Sequence, residues 1–201
     1  MDTNKYFRFD DEFNEELTSD HIPDGIENLE FGYSFNQIIQ SGVLSPNLKR
    51  IKFNHDYDQP LIMGVFPPHL EKLDMGWIFK QPLQPGIFPP SLKKLKISGK
   101  YRSIFEEGVL PPNLEVLHLG TYFNKEIKVG ILPSSLKILN LGKKFNNAFI
   151  VSHEFISGYL WLLPALNIFS LLLGEIVSAY LLREGKSPCL ILIAYELTTP
   201  T

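Results

Sequence analysis

Few side chains in this 201-residue sequence have the types and spacing that catalysis or metal binding requires. Two histidines four residues apart on one helix face would suit a zinc ion, but no two of the five histidines have that spacing. They are His21, His55, His69, His118 and His153. Cys189 is the only cysteine, so this chain holds neither an intramolecular disulfide nor a cysteine zinc site. Glycine-rich phosphate loops and serine nucleophile elbows are also absent. We therefore predict no catalytic residue, cofactor or metal, and we expect that the protein is not an enzyme.

The charged residues are unevenly distributed along the chain. The net charge is −3, which argues against nucleic acid as a partner. Residues 1–30 contain ten acidic side chains against Lys5 and Arg8, and we interpret this segment as a solvated face. The first residues are charged and polar and do not form the apolar core of a secretory signal. We expect an intracellular, cytoplasmic protein.

A repeat of 22 residues organises most of the sequence. Glycine recurs at this spacing five times in succession, at Gly42, Gly64, Gly86, Gly108 and Gly130. Proline follows each of these glycines within a few residues, and a leucine-rich run with apolar residues at alternating positions comes next. Such alternation is typical of a short strand with one buried face. An aromatic residue follows each of the six runs four positions after its end, at Phe35, Tyr57, Phe79, Tyr101, Phe123 and Phe145.

One unit of this length cannot bury enough apolar surface to fold alone, so the units must stack along one direction. We predict a β-rich solenoid, a leucine-rich-repeat-like stack of about 22-residue units with a parallel sheet. The repeat region is expected to span residues 5–151, with a partial first unit and six units that start near positions 21, 43, 65, 87, 109 and 131. We expect no separate domain before it.

Equivalent positions of stacked units become neighbours about 4.8 Å apart, so the surface columns can be read from the sequence. One outward column is basic in its middle and apolar towards its end, and a second alternates in charge. We predict that together they form a partner-binding face, composed of Arg50, Lys52, Lys72, Asp74, Lys94, Lys96, Val116 and His118. Alternating charge would also fix the register between similar units, so a purely structural role is the competing interpretation.

The columns resemble those of the FNIP repeat family, which occurs in slime moulds and amoeba-infecting giant viruses. The resemblance rests on Phe35-Asn36 with Gly42, and on the run 136–142 with Phe145-Asn146. It implies a leucine-rich-repeat-like fold, and F-box members of the family resemble substrate adaptors of ubiquitin ligases. No F-box segment precedes the repeats here, so the resemblance implies protein binding only.

This chain departs from the family's asparagine column in its central units. Asp58, Lys80 and Arg102 stand where the pattern has asparagine. We therefore expect that an asparagine ladder is broken at these three positions.

The repeat pattern stops at Ser152, and residues 152–201 form an apolar segment that we predict to be helical. Residues 155–174 carry no charge, and about 20 such residues would span a bilayer. This segment is interpreted as a cap over the last unit, as a membrane-associated helix, or as a non-repeat addition to a shortened array.

The combined features predict a non-enzymatic repeat protein that serves as a protein–protein interaction scaffold. Its expected partner is an unidentified protein, without nucleic acid or a small-molecule ligand, and with membrane association through 155–174 left open. The alternatives are a substrate-recognition adaptor in ubiquitin transfer that lacks its own F-box, and an inert truncated paralogue.

Overall fold

The computed structural model describes residues 5–128, 130–142 and 144–145, and the backbone of 178–183 and 189–194. Each repeat unit forms one coil, and each coil contributes one three-residue strand to a seven-stranded parallel sheet. The strands are β1 Tyr6–Arg8, β2 Asn28–Glu30, β3 Arg50–Lys52, β4 Lys72–Asp74, β5 Lys94–Lys96, β6 Val116–His118 and β7 Ile138–Asn140. They pair in sequence order and in the register that the 22-residue period predicts. This confirms the predicted parallel, leucine-rich-repeat-like stack.

The core is continuous from coil to coil. The central residue of β2 to β7 is buried while its two neighbours face outward, and Leu70, Leu92 and Leu114 occupy equivalent, fully buried positions. Each such side chain contributes roughly 1.5–3 kcal/mol when it leaves water. The aromatic column forms a stack of nearly parallel rings from Phe35 to Phe145, with centroids 6.0 to 6.5 Å apart. Every ring from Phe35 to Phe123 therefore packs on rings of the coils above and below it.

A side-chain ladder clamps the first four coils together. The Oδ1 atoms of Asn14, Asn36 and Asp58 each accept a hydrogen bond from a backbone N–H of the next coil at 2.9 Å. The same three oxygens also accept from the Nε2 groups of Gln37, Gln59 and Gln81. The expectation that Asp58 breaks the ladder is thus wrong, because a carboxylate oxygen accepts these bonds as an amide oxygen does. The described ladder ends at Lys80, whose ammonium group can only donate.

The C-terminal segment is described only as two strands, β8 Ser178–Arg183 and β9 Cys189–Ala194, which pair antiparallel. The predicted helix is wrong for these residues. Five residues that include Gly185 and Pro188 separate two short apolar runs, which favours a hairpin over a continuous helix. β9 approaches β7, the last strand of the solenoid. The membrane-segment hypothesis concerns 155–174, which lies outside the described residues, and no helix within the described part has the length and hydropathy to cross a membrane.

Two kinds of glycine allow the coils to stack closely. Gly42 lies at a coil boundary with φ of +83° and open space around its α-carbon, so its backbone angle alone favours glycine. Gly120 follows β6, and a β-carbon there would lie 1.6 Å from the carbonyl oxygen of Ser98 in the preceding coil. The backbones of neighbouring coils touch at this point.

Replacing these two glycines should separate the two effects. We expect Gly42→Ala to lower the free energy of unfolding by about 1–2 kcal/mol, the cost of a left-handed backbone with a side chain. Gly120→Ala should cost more, roughly 3 kcal/mol or above, since two coils must move apart. Urea denaturation followed by circular dichroism measures both losses. Similar losses in the two variants would contradict the described contact between coils.

A second prediction concerns the polar ladder at Asp58, whose side chain is 13% exposed. Asp58→Ala leaves the Lys80 amide and the Gln81 side chain without their acceptor, so we expect a loss of about 1–3 kcal/mol. Asp58→Asn keeps the accepting oxygen and loses only the ion pair with the exposed Lys80 at 3.1 Å, so it should cost less than about 1 kcal/mol. The same urea titration compares the two variants. An equal loss in both would show that the ladder does not depend on that oxygen.

Candidate functional site

The outward sides of the strands form one exposed sheet face. In β3 to β6 the first and third residues point outward and the middle residue is buried. All eight residues of the predicted face lie at these outward positions. Arg50, Lys72, Lys94 and Val116 are register partners at the strand starts, and Lys52, Asp74, Lys96 and His118 are register partners at the strand ends. The structure therefore brings the eight residues together on adjacent strands.

The charges at the strand ends are paired between coils. Lys52 Nζ lies 2.9 Å from Glu30, and Lys96 Nζ lies 3.0 Å from Asp74. Burial raises the pKa of Glu30, but hydrogen bonds and charge interactions, mainly with Lys52, more than offset this, so the pKa is lower than usual. These pairs hold neighbouring strands in register, as opposite charges across strands do.

The column just before the strands is paired in the same way. Glu27 accepts from Lys5 at 2.8 Å and from Lys49 at 2.9 Å, and these two hydrogen bonds lower the pKa of its carboxyl group. Two further pairs in this column are Lys93–Glu71 at 3.2 Å and Lys137–Glu115 at 2.9 Å. The pairs are solvent-exposed, so each contributes little to stability and mainly sets the alignment of the coils.

The three cations at the strand starts differ from both of these columns. Within the described part of the chain, Arg50, Lys72 and Lys94 make no salt bridge and donate no side-chain hydrogen bond. They are exposed and occupy adjacent register positions, about 4.8 Å apart at the backbone. Like charges opposite one another on neighbouring strands destabilise a sheet. An anionic group placed over this cationic ladder would relieve that repulsion.

Two clefts meet on this face. A shallow groove of about 460 Å³ runs over the cationic ladder and reaches Lys96 and His118. A second cleft of about 320 Å³ lies beyond the strand ends and is lined by Trp77 and several glycines. Lys96 and His118 line both, so the two clefts lie side by side.

His118 lies where the clefts join. Burial lowers the pKa of its imidazole, the positive charges of Lys94 and Lys96 lower it further, and the carboxylate of Asp74 opposes them. The imidazole is therefore uncharged at neutral pH in the absence of an anion. An anionic ligand in the groove would raise this pKa and favour the protonated ring.

The sequence interpretation missed Trp77, which lines the second cleft, and Tyr122, which lies against Trp77. The rings of Trp77 and Tyr122 meet at 74° with centroids 6.4 Å apart. The Trp77 indole covers Gly99, where a β-carbon would lie 2.3 Å from the ring, and Arg102 lies 5.3 Å from the centre of the Tyr122 ring. The signal in the sequence is Gly99 itself, which stands one repeat after Trp77 and leaves room for the indole.

Metal binding has no support in the described residues, which contain no group of three or more histidine, cysteine or carboxylate side chains placed to hold an ion. The arrangement offers instead three unpaired cations, an uncharged imidazole and a partly exposed aromatic corner. These groups suit non-covalent recognition of an anionic ligand.

Comparison with known proteins agrees with the repeat and with the fold. The family model described as FNIP Repeat matches residues 5–34, 35–77, 71–100, 79–122, 101–144 and 123–152. The chain is similar to CroV588, a giant-virus protein described as a novel circular LRR protein, with 33% identity and a TM-score of 0.69. The similarity covers 72% of this chain and 21% of CroV588, so the chain spans about a fifth of that protein's length. No curated protein matches the chain. With six matches across its repeat region and a leucine-rich-repeat-like solenoid, the chain belongs to the FNIP repeat family.

Proposed function

We propose that this protein is an interaction scaffold whose sheet face binds an acidic segment of a partner protein. The observation that carries the proposal is the cationic ladder Arg50–Lys72–Lys94, which has no carboxylate partner among the described residues although the lysines of both flanking columns do. A protein that needed these cations only for alignment would pair them as it pairs their neighbours.

The surroundings of the ladder favour an acidic protein segment over nucleic acid. Glu30 and Asp74 lie at the strand ends beside the cations, and Glu27 and Glu71 lie just before the strands. A continuous phosphate backbone would approach these carboxylates and be repelled, and the net charge of −3 provides no long-range attraction. A peptide can place carboxylates over the ladder alone and neutral residues elsewhere.

The family and the fold are consistent with this role. Solenoids of stacked repeats present extended surfaces that bind other proteins. The proposal requires no bond-making chemistry. It gives different columns of the sheet different roles: the paired charges align the coils, and the unpaired cations bind the partner. The adaptor role in ubiquitin transfer is a special case of it, in which the bound segment belongs to a ligase substrate.

Reversing the ladder should abolish binding of an acidic probe. We expect a fluorescein-labelled peptide Glu-Glu-Glu-Gly-Gly-Ser to bind the wild-type protein. Arg50→Glu/Lys72→Glu/Lys94→Glu should weaken it at least about tenfold, because repulsion replaces three exposed attractions of roughly 0.2–1 kcal/mol each. Fluorescence anisotropy measures the affinity. Binding should also weaken as salt rises, because the cations are exposed.

The matched control is Lys100→Glu/Lys125→Glu/Lys128→Glu, which changes the net charge equally at exposed lysines away from the sheet face. It should keep at least half of the wild-type affinity. Equal losses in the two triple variants would refute the ladder as the binding site. Affinity purification with wild-type and reversed protein then identifies the natural partner, and co-recovery of ligase subunits with the wild type alone would indicate the adaptor role.

Binding should also depend on pH through His118. An anion in the groove raises the pKa of the imidazole, so the complex takes up protons and its affinity rises as pH falls. We expect roughly threefold tighter binding of the same peptide at about pH 5.5 than at about pH 7.5, and its glutamates stay ionised at both values. In His118→Gln this gain should disappear. A gain that persists in the variant would assign the proton uptake to another group.

A further inference from the structure

The exposed aromatic residues follow the strand ends along one edge of the sheet. Tyr33 and His55 occupy this edge in consecutive coils, and their rings stack at 4.6 Å with an angle of 4°. Trp77 holds the same position in the next coil. The stack shows that this column accommodates planar rings one above another at the coil spacing.

The column changes after Trp77. The next two positions are Gly99 and Thr121, which have no ring. The Trp77 indole leans over Gly99 towards Tyr122 and stays 38% exposed, and Tyr122 stays 36% exposed. By contrast, the buried aromatic column inside the solenoid is almost fully covered. The edge thus presents an open corner beside the exposed indole of Trp77, where the column of rings ends.

The floor of this corner is formed by backbone. Gly76, Gly120 and Gly142 line it, and at Gly76 and Gly120 the neighbouring coil's carbonyl oxygen lies less than 2 Å from where a β-carbon would be. The polar lining comes from Lys96, His118 and Asn140. The cleft therefore has a floor of backbone atoms, and the hydrogen-bond donors of Lys96 and His118 lie on the side next to the cationic groove.

We propose that the cleft beside Trp77 receives an aromatic side chain of the acidic partner segment. The assignment rests on the proposed function, because the cleft adjoins the groove over Arg50, Lys72 and Lys94, and Lys96 and His118 line both. A guest ring in the cleft packs against the exposed part of the Trp77 indole, in the stacked or edge-on geometry that aromatic pairs prefer. The partner is then recognised by acidic residues and one aromatic anchor.

The spacing between the two parts follows from the chain. Lys94 and Gly99 are five residues apart, a distance of at most about 16 Å at roughly 3.3 Å per residue. An extended partner segment therefore needs at most about five residues to cover this distance. We expect the aromatic residue within about five positions of the acidic run.

Two labelled peptides that differ in one residue test the inference. The first has the sequence Glu-Glu-Glu-Gly-Gly-Ser-Gly-Phe, and the second ends in Ala. We expect the Phe peptide to bind wild-type protein about tenfold more tightly than the Ala peptide, the effect of one stacked and buried ring. In Trp77→Ala the two peptides should bind with equal affinity. The affinity for the Ala peptide should stay at its wild-type value, which would show that the sheet face is intact.

A matched control and a direct readout complete the design. Tyr33→Ala removes an exposed ring of the same edge outside the cleft and should preserve the preference for Phe. Trp77 and Trp161 are the only tryptophans, so in a W161F background the emission spectrum reports on Trp77. It should shift with the Phe peptide and not with the Ala peptide.

The outcomes separate this inference from the proposed function. Equal binding of both peptides to wild-type protein would overturn the aromatic anchor and leave the acidic-segment proposal standing. Failure of both peptides to bind would overturn the two proposals together. Displacement of the Phe peptide by an equal concentration of single-stranded oligothymidylate would assign the rings and cations to nucleic acid and overturn the peptide assignment.

Discussion

Register between coils is the constraint on which this structure depends. A 22-residue unit has one short strand and a few apolar side chains, and each buried leucine and stacked ring finds its packing partners in the coils above and below. A shift of one residue between two coils would turn the buried face of a strand outward. Three features favour the correct register: the paired charges, the glycines at close backbone contacts, and the polar side-chain ladder. Each of them forms only when equivalent positions of neighbouring coils align.

The same alignment explains how much of the fold could be predicted from the sequence. The strand centres and the aromatic column follow from periodicity, because burial in a stack repeats with the unit. Asp58 was misjudged because the ladder requires an accepting oxygen and not an amide as such. The helix expected in the C-terminal segment was wrong for 178–183 and 189–194, since apolar composition does not distinguish a buried strand from a helix.

The candidate site was only partly predictable, for a different reason. The outward strand positions follow from alternation, so the eight face residues were named correctly as neighbours. Which cations lack a carboxylate partner follows from the column they belong to. Lys52 and Lys96 lie beside Glu30 and Asp74, whereas Lys72 has Arg50 and Lys94 as its register partners. The contact between Trp77 and Tyr122 could not be predicted, because the two residues belong to different columns of the repeat and meet only since the indole leans over Gly99.

The in-register sheet has a consequence for how such a surface diversifies. Because β3, β4 and β5 place equivalent residues side by side, duplication or loss of one unit would lengthen or shorten the exposed sheet face by a single step of about 4.8 Å and leave the packing within the other coils unchanged. Substitutions at outward positions would change the order of charges along that face. Under the proposed function, the number of units and the order of their outward charges would together set which partner segment binds.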